Sequence, residues 1–169
     1  MLETAGDLDR LQRLLDATYN SAGEHLRRVV SPECRPTATA VAERLTGMRL
    51  LVLATVTADG RPINSPVDAF FYRGRFHFGS APDSIRFRHI RARPAVSATH
   101  LPGEEFAVTV HGDAEFINVQ SPEYREFRQL LLDYYVPRYG PGWEDFLDSG
   151  PVYARINDRR MYAYLAQAT

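Results

Sequence analysis

The sequence predicts a mainly β protein with peripheral helices (α+β), built as a closed or nearly closed antiparallel β-barrel. Two observations carry this. From Arg49 onward the apolar segments are short and separated by turn signals such as Asp59-Gly60 and Arg73-Gly74. Helical spacing is confined to the first 46 residues, a stretch after Gly79 and another after Ser121, so short strands outnumber helices. With 169 residues, 44% of them apolar, the chain supports one well-buried core. The expected organisation is an N-terminal helical extension, residues 1–46, packed on a barrel formed by residues 47–169.

Asp7 to Arg28 reads as one amphipathic helix, with Leu8, Leu11, Leu14, Leu15 and Tyr19 at three- and four-residue spacing. A second, short helix spans Thr37 to Leu45 and stops at Gly47. Three antiparallel strands follow: one from Leu50 to Thr57, one from Pro62 to Tyr72 and one from Arg75 to Gly79. A short helix then carries the basic residues. Strands from Ala95 to Leu101 and from Phe106 to about Asn118 come next. Ser121-Pro122 opens a helix to about Tyr135, an N-cap residue followed by proline at the first position. The segment Tyr134 to Trp143 reads as an aromatic, turn-rich loop. Two closing strands, Val152–Ile156 and Arg160–Ala166, flank a turn at Asn157-Asp158-Arg159.

The net charge is −1, yet four arginines, a histidine and a single acid, Asp83, lie between Ser80 and Pro94. That concentration makes a local anion site, and it argues against the broad basic excess of nucleic-acid or membrane-surface proteins. Arg86, His89 and Arg93 share one helical face, while Phe87 and Ile90 point to the barrel. Arg86 lies near the helix start, where unpaired N–H groups favour an anion, and Ser80 and Ser84 add hydroxyls. A solvated basic helix is the alternative. Pro62 and Pro66 leave gaps in a strand ladder, either for a ligand or as protection of an edge strand.

All twenty basic residues are arginine, which excludes Schiff-base, covalent pyridoxal phosphate and Walker A chemistry, each of which needs a lysine. His77, His100 and His111 show no ligand spacing, and the lone Cys34 has no partner, so no metal site is expected. Asp68 is either an outward carboxylate or the partner of a helix arginine. The aromatic segment can cap a flat ring or pack as an ordinary loop, and Tyr134, Tyr135 and Tyr139 are candidate proton donors. No apolar run is long enough to span a bilayer and the N-terminus lacks signal-peptide character, so a cytoplasmic protein is expected, with neither nucleic acid nor membrane as partner.

The run Leu53 to Val67, then Phe76-His77-Phe78-Gly79-Ser80, then Arg86 to Ser97, resembles the pyridoxamine 5'-phosphate oxidase-like split-barrel flavoproteins. Within them it is similar to the flavin- or deazaflavin-dependent oxidoreductases, over about residues 45 to 166. The resemblance implies FMN, or alternatively the deazaflavin F420, as cofactor, a homodimer with the cofactor at its interface, and hydride transfer to or from a small organic substrate. A non-enzymatic flavin or haem carrier or sensor is the alternative. It assigns the cofactor phosphate to Ser80, Ser84 and Arg86, with His89 beside them, and the flavin ring to Asn64, Ser65, Pro66 and Val67. It also places the Arg155–Met161 region near the partner's cofactor. The family's namesake enzymes carry Arg-x-His there for the substrate phosphate. Here the run is Arg155-Ile156-Asn157, so the vitamin B6 reaction is not expected.

Overall fold

A computed structural model describes residues 1–166. Six strands close into one antiparallel barrel: β1 (Met48–Val56), β2 (Pro62–Tyr72), β3 (Arg75–Ser80), β4 (Ala95–His100), β5 (Phe106–Ile117) and β6 (Val152–Leu165), in the order β1-β2-β3-β6-β5-β4. The mainly β barrel expected from the turn signals is therefore the fold. Strict alternation decides which side chains face in. On β1, Leu51, Leu53 and Thr55 are buried in the barrel, whereas Leu50 and Val52 face outward and are exposed.

The helices are α1 (Ala5–Asn20), α2 (Glu24–Val29), α3 (Ala38–Arg44), α4 (Ile85–Ala92), α5 (Arg125–Tyr139) and α6 (Gly142–Ser149). The single helix expected from Asp7 to Arg28 is two helices, since the chain breaks between Asn20 and Glu24. Gly23 lies in that break as the cap of α2, and its backbone freedom makes it a poor helix residue. Thr4 and Asp7 form a reciprocal capping box at the start of α1. Leu11 and Leu15 of α1, Val41 of α3, and Phe87 and Ile90 of α4 all enter the same core as the barrel interior.

Helix α1 lies along β6. The Thr18 hydroxyl accepts the Met161 N–H at 3.2 Å, and the Tyr19 hydroxyl accepts the Ala163 N–H at 3.0 Å while donating to the Ala163 carbonyl. Strand β3 reaches only the Val152–Arg155 part of β6, so the rest of β6 meets α1 on that side. Arg10 adds an ion pair at 2.8 Å to Asp158, whose side chain is only 3% exposed and also receives Arg75 at 3.1 Å.

Two further sequence expectations need correction. The turn expected at Asn157-Asp158-Arg159 is a bulge inside one continuous 14-residue strand, where the register slips opposite His111 and Gly112. Polar residues at a bulge resemble a turn in composition because both interrupt the ladder. Only glycine fits at position 112, since a Cβ there would run into the Asn157 carbonyl. The aromatic segment from Tyr134 to Trp143 is not a loop either. Helix α5 runs on to Tyr139 through Pro137 and, after Gly140-Pro141, α6 begins. Proline is cheap only in the first turn of a helix, so the cost of Pro137 near the end of α5 is offset by Phe127, Leu131 and Tyr135, which hold the helix to the barrel by one apolar stripe.

That stripe builds a second core outside the barrel. Phe127 is fully buried, with ring centroids 4.8 Å from His77, 5.4 Å from Tyr72 and 5.9 Å from Tyr153. Helices α5 and α6 thus cover the outer face of β2, β3 and β6.

Candidate functional site

The barrel is split beside β2. Residues Ala69–Tyr72 pair with β3, while the preceding part of β2 pairs with β1 alone. Helix α4 closes this gap from outside. Its N-cap, Ser84, accepts the Phe87 N–H, and Phe87 and Ile90 anchor the helix in the core. Arg86 is thereby aimed back at β2, where Nη2 donates to Ser65 Oγ and to the Pro66 carbonyl, each at 3.0 Å. The basic helix and the proline-interrupted strand, separate clues in the sequence, meet at this guanidinium.

Arg86 lines a cleft of about 800 Å³ between the barrel and α5–α6. Pro66, Val67, Asp68 and Ser80 line its barrel side, and Tyr135, Trp143 and Phe146 line the helical side. Trp143 stacks on Tyr135 with centroids 4.4 Å apart and planes at 22°. Tyr153 lies across Gly79, where any Cβ would strike its ring, so the glycine allows this wall to approach β3. A mostly apolar cleft with a few placed polar groups is the ordinary form of a small-molecule site.

Only two charged side chains line the cleft among the described residues, Arg86 and Asp68. Arg86 is half-buried, and burial lowers its proton affinity from the ordinary arginine value without removing its charge. No carboxylate pairs with it among the described residues. Asp68 accepts the Tyr135 hydroxyl at 3.1 Å. Burial, and then the Asp68 charge, push the Tyr135 phenol well above its ordinary range, and burial does the same to Tyr153. Both remain protonated donors.

The residues assigned to the cofactor fall into three groups. Pro66, Val67, Ser80 and Arg86 line the cleft, and Ser65 touches it through Arg86. Ser84 is engaged as the cap of α4, and His89 bonds Thr55 Oγ1 on β1 at 2.9 Å. Asn64 is exposed on β2 and does not line the cleft. Arg93, on the same helical face as His89, donates to the Val56 carbonyl at 2.9 Å. His89 and Arg93 therefore strap α4 to β1.

Among the candidate proton donors, Tyr135 and Tyr139 line the cleft, while Tyr134 packs on Phe70 under Arg138. Asp68 faces Tyr135 and not a helix arginine. Phe146, Tyr153 and Leu50 were not legible as site residues. The spacing of Trp143, Phe146 and Leu147 was the available signal, since it marks α6 as an apolar-faced helix. No three His, Cys, Asp or Glu side chains converge as metal ligands among the described residues. No helix there is long and apolar enough to cross a membrane. Arg155 and Asn157 both bond Glu115, at 3.0 and 2.6 Å.

A sequence model of the pyridoxamine 5'-phosphate oxidase family matches residues 37–162. The chain belongs to that family, whose split-barrel fold is the one described above. Solved structures agree at the level of the fold. The conserved hypothetical protein Rv2991 of Mycobacterium tuberculosis is 19% identical with a TM-score of 0.65, over 83% of this chain and 95% of that one. A FAD-binding protein of Mesorhizobium loti is 22% identical with a TM-score of 0.55, over 78% and 96%. An F420 reductase is 20% identical with a TM-score of 0.53, over 69% and 91%. Comparison with curated proteins gives no match.

Proposed function

We propose that the protein is an oxidoreductase that binds FMN, or alternatively F420, in the cleft and exchanges hydride with a small organic substrate. The observation that carries this reading is Arg86, a half-buried cation without a carboxylate partner among the described residues, in the lining of an aromatic-walled cleft. A half-buried charge that the fold leaves unpaired is suited to an anion supplied by a ligand. The residues present fit such a group: Arg86 and Ser80 would hold the phosphate, and Pro66 and Val67 would lie along the ring.

When bound, the cofactor supplies the hydride-carrying ring. The chain's own part is to bind, orient and keep the site dry. Tyr153 and Trp143 supply apolar walls, and Tyr135 keeps its proton directed at Asp68. Because Arg86, His89 and Arg93 are all turned onto β1 and β2, helix α4 serves as a cofactor cradle and not as a nucleic-acid surface.

The proposal includes a cytoplasmic homodimer. Leu50 and Val52 are 56% and 51% exposed on the outer face of β1, and Leu50 also lines the cleft, so a second copy packed there would complete its rim. The deciding experiment is the absorption spectrum of the protein titrated with FMN and, separately, with F420. A saturable spectral shift with one of them is expected, abolished by Arg86→Glu but not by Arg91→Glu, since Arg91 bonds the Pro82 carbonyl and does not line the cleft. No shift with either cofactor overturns the reading.

A further inference from the structure

We propose that α6 is a lid on the cleft, latched to α5 by Arg128, and that it opens by detaching from α5 while α5 and the barrel stay folded. The lid and its latch are made of the protein's own contacts. Only the identity of the ligand that the lid encloses rests on the cofactor reading.

Helix α6 supplies much of the helical wall. Trp143, Phe146 and Ser149, spaced by three residues, line the cleft, and Gly150 and Pro151 continue the lining beyond the helix. Yet this wall is weakly held. Of the eight residues of α6 only Leu147 is buried, whereas α5 buries Phe127, Leu131 and Tyr135. Phe146 is 54% exposed, and no backbone hydrogen bond joins α6 to the barrel among the described residues. The chain enters α6 through Gly140, at φ +87°, and Pro141, and leaves it through Gly150 and Pro151. These residues interrupt the backbone on both sides, so α6 can move without carrying α5 or β6 with it.

The polar ties of α6 converge on one side chain. Glu144 and Asp148 lie one turn apart on another face of the helix. Arg128 Nη2 donates to Glu144 at 3.0 Å and to both Asp148 oxygens, at 2.8 and 3.1 Å. Its Nε donates to Gln120, whose amide donates to Asp148 at 2.6 Å. Among the described residues, every side-chain hydrogen bond from α6 to the rest of the protein goes to Arg128 or Gln120. Glu144 and Asp148 are about half-exposed, so water and salt weaken this latch. The remaining ties are Leu147 in the outer core and the stack of Trp143 on Tyr135.

An isolated helix of this length is not stable in water, so α6 melts once it leaves α5, and its amide exchange measures the opening. The test is hydrogen–deuterium exchange followed by mass spectrometry. In Arg128→Gln the amides of residues 142–149 are expected to exchange about fivefold faster than in wild type, the factor by which a half-exposed ion-pair network shifts an equilibrium. Residues 125–139 and the strands should change by less than about twofold. Salt at about 1 M should carry the wild type toward the variant. Arg61→Gln, whose pair with Asp59 lies on the β1–β2 hairpin, should leave α6 unchanged. Exchange in α6 that responds neither to Arg128→Gln nor to salt overturns the latch, and an equal acceleration of α5 overturns the separate lid. FMN is the probe for enclosure. Bound FMN, detected by its spectral shift, should slow exchange in α6 by about threefold or more, because its contacts with that wall exist only while the lid is in place. FMN that binds without slowing α6 overturns the enclosing role. If no FMN binds, the cofactor reading falls while the Arg128 comparison still decides the lid.

Discussion

Replacing Arg86 by alanine separates the two jobs this side chain performs. Its Nη2 makes both contacts with β2, at 3.0 Å to Ser65 Oγ and 3.0 Å to the Pro66 carbonyl. Nε and Nη1 bond nothing among the described residues, which leaves two nitrogens, each able to donate to a phosphate in the cleft. Charge-assisted hydrogen bonds are worth about 1.5–3 kcal/mol each, and the half-exposed position of Arg86 calls for the lower end. Two such bonds give about 3 kcal/mol, a weakening of FMN binding by roughly a hundredfold. Riboflavin, the same ring without the phosphate, should bind Arg86→Ala within about threefold of wild type. The assay is a paired titration of FMN and riboflavin followed by absorption, with a urea unfolding curve to confirm a folded variant. A loss of equal size for both ligands would mean that Arg86 only props the strand. Unchanged FMN binding would remove the phosphate role altogether.

Three other outcomes follow from the same structure. Burial pushes His77 down to about 4 from its ordinary 6.5, so the unfolded chain takes up this proton first. Its contribution of about 3 kcal/mol is complete above pH 6.5 and is lost as pH falls toward 4. Urea midpoints measured across that range should fall steeply in wild type and more gently in His77→Phe. Phe127→Ala, at a fully buried position between His77, Tyr72 and Tyr153, should cost about 3–5 kcal/mol in urea unfolding, whereas Phe146→Ala at the exposed rim should cost under about 0.5 kcal/mol. Val52→Glu should convert the proposed homodimer to monomer in sedimentation while shifting stability by no more than about 0.5 kcal/mol.

The barrel was legible because each strand obeys a local rule. Leu51 and Leu53 alternate with Leu50 and Val52, and Asp59-Gly60 and Arg73-Gly74 mark turns by their own backbone preferences. Phe87 and Ile90 likewise fixed which face of α4 is buried, and so where Arg86 points. What could not be read depends on partners far away in sequence. The polar run at Asn157–Arg159 continues a strand because β5 holds it on both sides of the bulge. Tyr134 to Trp143 is helical because Phe127, Leu131 and Tyr135 find the outer barrel face, which outweighs the local cost of Pro137. Asp68 could not be matched to Tyr135 for the same reason: 67 residues separate them.

The hydroxyls of Thr18 and Tyr19 occupy backbone groups of Met161 and Ala163 that a neighbouring strand would otherwise use. An uncovered stretch of this kind is a template for strand addition from another molecule and a common origin of aggregation. Helix α1 thus acts as a guard on the flank of β6 that β3 leaves unpaired. Trimming the chain before Ser21 would free these backbone groups of β6 and also uncover the core that Leu11 and Leu15 close, so self-association through β6 should accompany the loss of stability, and light scattering would detect it.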